Sequence, residues 1–311
     1  MTTNNPADIK ELLNEREGFH KWWRLMRPHT LTASFVPVFV GTMIAFNEGT
    51  IDWLLFFAMM IASLLIQAAT NMFNEYYDFV RGLDNDQSVG IGGSIVRDGM
   101  NPKQIRNIAF IFYAISIGIG VYICISSSWW IAVIGLFCMA VGYLYTGGPV
   151  PISYTPFGEL FSGVLMGTVI IGITYYIQTA SVTMEMILIS LPITIFIGCI
   201  NFANNIRDRD GDEKGGRKTI AVLIGRPSSI KLLAMLFIVS FAITIILICT
   251  GILPIWSLLT LLSALPAISV IKDFKGKTQA IEMMPAMKKT GKTNTIYGML
   301  LGLSLLIAGL L

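Results

Sequence analysis

Residues 71–84 read NMFNEYYDFVRGLD. They follow an apolar run from Trp53 to Thr70 and carry Asn74, Glu75, Asp78 and Asp84 out of it. Asn74 and Asp78 are four residues apart, so a continuing helix puts them on one face. Ionisable groups at the end of an apolar span are costly unless they face a cavity, a partner or an ion. Residues 201–212, NFANNIRDRDGD, repeat the pattern after the apolar run from Met184 to Ile200, and Asn204, Asp208 and Asp212 again stand at intervals of four. Two acidic helix ends, distant in sequence, call for one shared cation between them.

The remainder of the 311-residue chain suits a membrane rather than water. Apolar residues make up 54% and charged residues 13%, the latter about half the share of a soluble domain. Mean hydropathy is +0.68, and apolar runs approach the length of a bilayer span. Spans are expected near 31–46, 53–74, 106–126, 129–145, 158–178, 184–206, 229–250, 256–271 and 294–311. All 22 Lys and Arg residues then fall on one side: before the first span and around the second, sixth and eighth connections. The positive-inside rule therefore places the N-terminus and both acidic stretches in the cytoplasm and the C-terminus outside. The expected fold is an all-α integral membrane protein, nine transmembrane helices in one bundle around a central cavity. Residues 1–29, with Phe19, Trp22, Trp23 and Leu25 among basic residues, read as a cytoplasmic, interfacial segment, and 30–311 as the membrane domain. Residues 1–20 are polar and charged, unlike a cleavable signal peptide. A weak internal repeat starts at 53 and again at 184. The lipid bilayer is the expected partner; nucleic acid is not.

The donor set narrows the chemistry. The four cysteines lie inside apolar runs and never pair as CxxC, and His20 and His29 have no such partners. Carboxylate and amide oxygens suit a hard cation, Mg2+ above all, which commonly bridges carboxylates to substrate phosphates. Arg207, Arg217 and Lys218 beside the second stretch, and Arg81 and Arg97 after the first, supply positive charge for phosphate oxygens. Each of these cations also has an ordinary reading as topogenic charge. A metal–diphosphate site inside an apolar bundle points to a lipid diphosphate, whose ionisation leaves an electrophilic allylic cation. Phe73, Tyr76, Tyr77, Tyr143 and Tyr145 are candidates to face that cation. Two lookalikes fail. Asp208-x-Asp210-x-Asp212 lacks the glycine of a calcium loop, having Glu213 there, and Gly291-Lys292-Thr293 has Ala286 where a phosphate loop needs its earlier glycine.

At these residues the chain resembles the UbiA superfamily of intramembrane aromatic prenyltransferases. That family carries an NDxxDxxxD-type motif after its second helix and a DxxxD motif after its sixth. Here they stand as Asn74-Glu75-Tyr76-Tyr77-Asp78 with Asp84, and as Asp208-Arg209-Asp210-Gly211-Asp212; Glu75 replaces the usual Asp. Within the superfamily the likeness is greatest to the branch that acts on 1,4-dihydroxy-2-naphthoate in menaquinone biosynthesis. It rests on Arg27-Pro28-His29-Thr30-Leu31, Tyr145-Thr146-Gly147-Gly148-Pro149, Gly158-Glu159-Leu160, Tyr175-Tyr176-x-Gln178 and Met284-Pro285-Ala286. The resemblance implies Mg2+ held by Asn74, Asp78, Asp84, Asp208 and Asp212, of which Asp78, Asp208 and Asp212, with Lys218, are the expected catalytic residues. It further implies diphosphate contacts from Arg27, Arg97, Asn204, Arg217 and Lys218, and acceptor contacts from Tyr145 and Glu159. The expected reaction joins a polyprenyl diphosphate to dihydroxynaphthoate with decarboxylation, at the plasma membrane and on its cytoplasmic side.

Two other readings remain open at this level. A relative acting on 4-hydroxybenzoate or homogentisate would share the metal site. A secondary transporter would also use paired carboxylates and a repeat, but such sites usually lie near the bilayer midplane. Replacing Asp208 by Asn keeps its shape and removes one charge. Turnover is expected to fall at least about a hundredfold, with expression intact, in a prenyl-transfer assay; near-normal turnover would take Asp208 out of the metal site.

Overall fold

The computed structural model describes residues 18–84 and 93–311, and among these every regular element is helical. A short α1 (Phe19–Leu25) leads to α2 (Thr32–Phe46), α3 (Trp53–Val80), α4 (Pro102–Ser126) and α5 (Trp130–Leu144). Next come α6 (Gly158–Thr179), α7 (Met184–Lys214), a short α8 (Ile220–Ile224), α9 (Arg226–Cys249), α10 (Ile255–Phe274) and α11 (Ala280–Leu310). Seven of them, α3, α4, α6, α7, α9, α10 and α11, are long and apolar enough to cross a membrane, while α2 and α5 are shorter apolar helices of 15 residues each. The first part of the expected interfacial segment, with Lys10 and Arg16, lies outside the described residues.

Local chemistry marks the helix starts. The Asp52 carboxylate accepts from the backbone N–H of Leu54 and Leu55 at 2.8 and 3.1 Å, opening α3. Asn101 caps α4 just ahead of Pro102, and Thr183 caps α7 through the N–H of Met186. The two helices that carry the acidic motifs run well past the expected boundaries at 74 and 206. With 28 and 31 residues, α3 and α7 reach about 42 and 46 Å at 1.5 Å per residue, beyond the roughly 30 Å of hydrocarbon. Asn74, Asp78, Asn204, Asp208 and Asp212 therefore ride on rigid helical turns, and Asp84 lies in the turn just beyond α3. Charge alone does not end a helix. The chain turns out only at Gly82 (φ 71°) after α3 and Gly216 (φ 77°) after α7, where a left-handed conformation is needed.

The 272–293 stretch departs from expectation as well. It reads from sequence as a loop broken by Pro285 and Gly291, yet α11 starts at Ala280 and is continuous through both. Met283, Met284, Ala286 and Met287 are buried there, so packing outweighs the hydrogen bond that Pro285 forgoes. Gly291 is a point of close approach: a Cβ there would lie 2.6 Å from the His29 carbonyl oxygen. Further along, Gly298 and Gly302 let α11 press onto Val36 and Phe39 of α2, in the way small residues bring membrane helices together. Asn294 donates to Thr32 Oγ1 at 3.0 Å on the same seam.

At the other side, Leu25 of α1 is fully buried, and Trp22 and Met26 pack with it on Met72 and Phe73 of α3. Arg24 pairs with Asp98 at 2.7 Å, and the Asn71 amide donates to the Met26 carbonyl and Thr30 Oγ1. The amphipathic segment thus docks on protein, with Trp23 exposed.

Gly291→Ala is expected to destabilise the protein by about 1–3 kcal/mol, because the obstacle is backbone and cannot rotate away. The check is the thermal midpoint in detergent, which should drop in Gly291→Ala and stay put in the control Lys277→Ala, at an exposed site.

Candidate active site

A cavity of about 490 Å3 opens among α2 to α7. Its walls differ from end to end. Near the C-terminal ends of α3 and α7 it is lined by Arg27, Asn74, Asp78, Asn204, Arg207, Asp208 and Arg217. Deeper, the lining is largely apolar, with Met59, Ile117, Ile123, Leu136 and Ile173. One chamber therefore offers a charged mouth and a greasy interior.

The two motifs meet through one side chain. Arg217, in the turn after α7, reaches Asp78 of α3 with one arm of its fork and Asp212 of α7 with the other, the latter at 3.1 Å. These side chains are 13%, 17% and 5% exposed, so the triad is shielded from water. Burial opposes the Arg217 charge, but Asp78 and Asp212 outweigh it and raise its pKa. Arg207, almost buried, grips Asp208 with both arms and rests its remaining nitrogen on the thioethers of Met284 and Met287 of α11. Asp84 comes back beside the motif because its N–H and that of Leu83 both bond the Asp78 carbonyl after the turn at Gly82. Burial, reinforced by Asp78 and Glu75, pushes the Asp84 carboxyl up to about 7.

Several expected residues stand elsewhere or do other work. Glu75 is 1% exposed and faces away from the cavity; it accepts from Arg27 and from the Ile95 N–H, both at 3.3 Å, and so anchors Arg27 at the mouth. Asn74 accepts from Thr146 Oγ1 at 2.8 Å. Arg81 clamps the Thr146 and Gly148 carbonyls, which ties it to the Tyr-Thr-Gly-Gly-Pro turn rather than to a phosphate. Arg97 is buried over Gly93 and Lys218 is exposed; neither lines the cavity. Of the aromatic candidates only Tyr145 lines it, receiving the Asn201 amide at 2.6 Å. Phe73 and Tyr77 each stack edge to face on Tyr143, and Tyr76 packs on Tyr77. Glu159 is buried in the first turn of α6, with Oε1 held by Asn205 and Oε2 without a partner. Asp210, exposed, is held by Arg209 and Arg226 on the far face of α7.

Sequence reasoning missed His29, Asn201 and Asn205, all cavity-lining. The two asparagines were readable, one turn ahead of Asn204 and Asp208 on the same helix. His29 was not. Burial, and then Arg27, Arg207 and Lys288, pull its pKa down to about 3, so it stands neutral among cations.

Among the described residues no three His, Cys, Asp or Glu side chains are gathered as a ready metal cluster; arginines hold the carboxylates instead. The donor set nevertheless fits a hard divalent cation. It is all oxygen, it lies on two facing helices, and Asp212 Oδ2 is buried without a hydrogen-bond partner.

Among the described residues, a helical bundle with two facing Asn/Asp motifs at the mouth of an apolar chamber suits an intramembrane prenyltransferase. Residues 34–283 match the UbiA prenyltransferase family, and the chain belongs to it. It is 54% identical over 286 residues to the 1,4-dihydroxy-2-naphthoate octaprenyltransferase of Bacillus subtilis strain 168, covering 92% of each chain. It is 26% identical to mouse UbiA prenyltransferase domain-containing protein 1, over 96% of this chain and 88% of that one. In fold it is similar to a UbiA homolog from Archaeoglobus fulgidus solved with GPP and Mg2+, with a TM-score of 0.68 at 15% identity over 92% of this chain and 99% of that one.

Removing Arg217 should leave two shielded carboxylates facing each other. Arg217→Ala is expected to cost about 3–5 kcal/mol, read as a lower thermal midpoint in detergent. Asp78→Asn in the same chain should recover part of the loss, since it removes one of the opposed charges; an additive double variant would disprove the bridge.

Proposed function

We propose that this protein transfers a polyprenyl group from polyprenyl diphosphate to 1,4-dihydroxy-2-naphthoate, with loss of CO2, giving demethylmenaquinone in its reduced form. The observation that carries the reading is the cavity itself, which joins two oxygen-donor motifs and three arginines to an apolar chamber. The 54% identical relative supports the naphthoate acceptor. In the proposed topology α2 and α5 complete nine spans, the N-terminus is cytoplasmic, and the cavity mouth opens to the cytoplasm at the plasma membrane. Residues 1–29 form the interfacial segment and 30–311 the membrane domain.

Asn74, Asp78, Asp84, Asp208 and Asp212 would hold Mg2+, which, when bound, neutralises the departing diphosphate. Arg27, Arg207 and Arg217 line the same mouth and would bind diphosphate oxygens with preset forks, with Lys218, Arg97 and Asn204 as the other proposed contacts. Since Arg217 and Arg207 now hold Asp78, Asp212 and Asp208, an incoming anion would draw the guanidiniums toward itself and release the carboxylates. The apolar chamber excludes water from the allylic carbon and accepts the chain. Tyr145, oriented by Asn201, lines the cavity and, with Glu159 behind Asn205, would serve the acceptor side. The ring carbon that carries the carboxylate forms the new C–C bond as the C–O bond to diphosphate breaks. The electron pair left by CO2 then restores the aromatic ring.

The test is prenyl transfer by the purified protein with 1,4-dihydroxy-2-naphthoate and 4-hydroxybenzoate competing, with and without Mg2+. A prenylated naphthoquinol formed only with Mg2+ is expected. Prenylated hydroxybenzoate instead would overturn the acceptor, and an intact diphosphate with folded protein would overturn the enzyme.

A further inference from the structure

The wall of the chamber formed by α3 is not apolar throughout. One turn deeper than Asn71, Gln67 lines the cavity at 9% exposure, and one turn deeper again so does Ser63 at 6%. Neither side chain has a hydrogen-bond partner among the described residues. Across from them stands Ser34 of α2. The Asn71–Thr30 hydrogen bond of 3.0 Å sets the two helices side by side, and one further turn along each brings Ser34 level with Gln67. Ser34 is 1% exposed, lines the cavity and has a buried Oγ without a partner. A buried hydroxyl without a partner, as at Ser34, is costly inside a membrane protein, and the Gln67 amide and Ser63 hydroxyl open into the same cavity with no partner among the described residues. Such groups mark a ligand that completes them.

Neither end of the prenyl donor qualifies. Its tail is hydrocarbon and would leave all three groups unpaired. Its diphosphate belongs at the mouth: Gln67 lies seven residues before Asn74, about 10 Å along the helix, and the cavity-lining arginines all stand at the mouth. What remains is a flat aromatic whose reacting carbon is held near the mouth and whose far edge carries an oxygen able both to donate and to accept. The geometry points to Gln67, with Ser34 and Ser63, as the seat of the ring hydroxyl on the far side of the acceptor, and so as a determinant of acceptor choice. This rests on the proposed naphthoate reaction.

The experiment compares 1,4-dihydroxy-2-naphthoate with 1-hydroxy-2-naphthoate, which lacks the far hydroxyl. Dissociation constants are measured by calorimetry on the intact protein in detergent, and KM values by product formation. The natural protein is expected to bind the dihydroxy compound about tenfold or more tightly than the monohydroxy one, and Gln67→Leu to shrink that ratio to about twofold or less. The KM for polyprenyl diphosphate should not change. Ser34→Ala removes a single hydroxyl and should narrow the same ratio by a smaller factor, which keeps the test alive if Gln67→Leu fails to fold. An unchanged ratio in both variants overturns the inference while leaving the reaction in place. A shift in the donor KM instead of the acceptor constant also overturns it, by assigning the groups to the tail. Failure of the natural protein to bind either naphthoate removes the proposed reaction and this inference together.

Discussion

Arg217 stands between Asp78 of α3 and Asp212 of α7, and on that compensation of charge the architecture of the mouth depends. Two long helices deliver carboxylates to the same shielded point, where like charges would drive them apart. A guanidinium with two arms satisfies both at once, which an ammonium could not do with the same geometry. Arg207 plays the same part for Asp208 and is itself propped by two methionines of α11. The mouth thus carries positive charge that is paired with its own carboxylates. In the proposed reaction, an anion and a cation arriving together would take over both sides of these pairs.

The helices, in turn, can be long and stiff because their termini are set by backbone chemistry rather than by where polarity begins. Gly82 and Gly216 supply the left-handed turns that fold the chain back toward the site. The turn at Gly82 returns Asp84 to Asp78, so both ends of the first motif share one small volume. Close packing of α11 on the loop before α2, through Gly291 and His29, holds Arg27 and His29 over the same volume. A cavity with a charged mouth and a largely apolar interior follows from these constraints, and the polar stretch of its wall at Gln67 stands out against them.

The spacing of Asn74 and Asp78, and of Asn204, Asp208 and Asp212, was legible because a helix converts an interval of four into a shared face. The side on which Lys and Arg fall follows a rule about loops, not about contacts, and belongs to the proposed topology. Pro285 and Gly291 misled, since a breaker in isolation becomes tolerable when buried methionines pay for the helix around it and a neighbouring carbonyl needs the missing Cβ. Glu75, Arg81 and Arg97 misled in another way. They resemble ligands in type and position, yet Glu75 anchors Arg27, Arg81 binds carbonyls, and Arg97 lies over Gly93.

By itself the sequence determined the class of fold, the two oxygen-donor faces and the apolar bulk around them, because hydropathy and helical periodicity act over a few residues at a time. Only the tertiary structure decided which arginine meets which carboxylate, which aromatics face the cavity, and which buried polar groups are left without partners. Those outcomes depend on helices far apart in the chain being brought to within hydrogen-bond reach, and no local pattern encodes that distance.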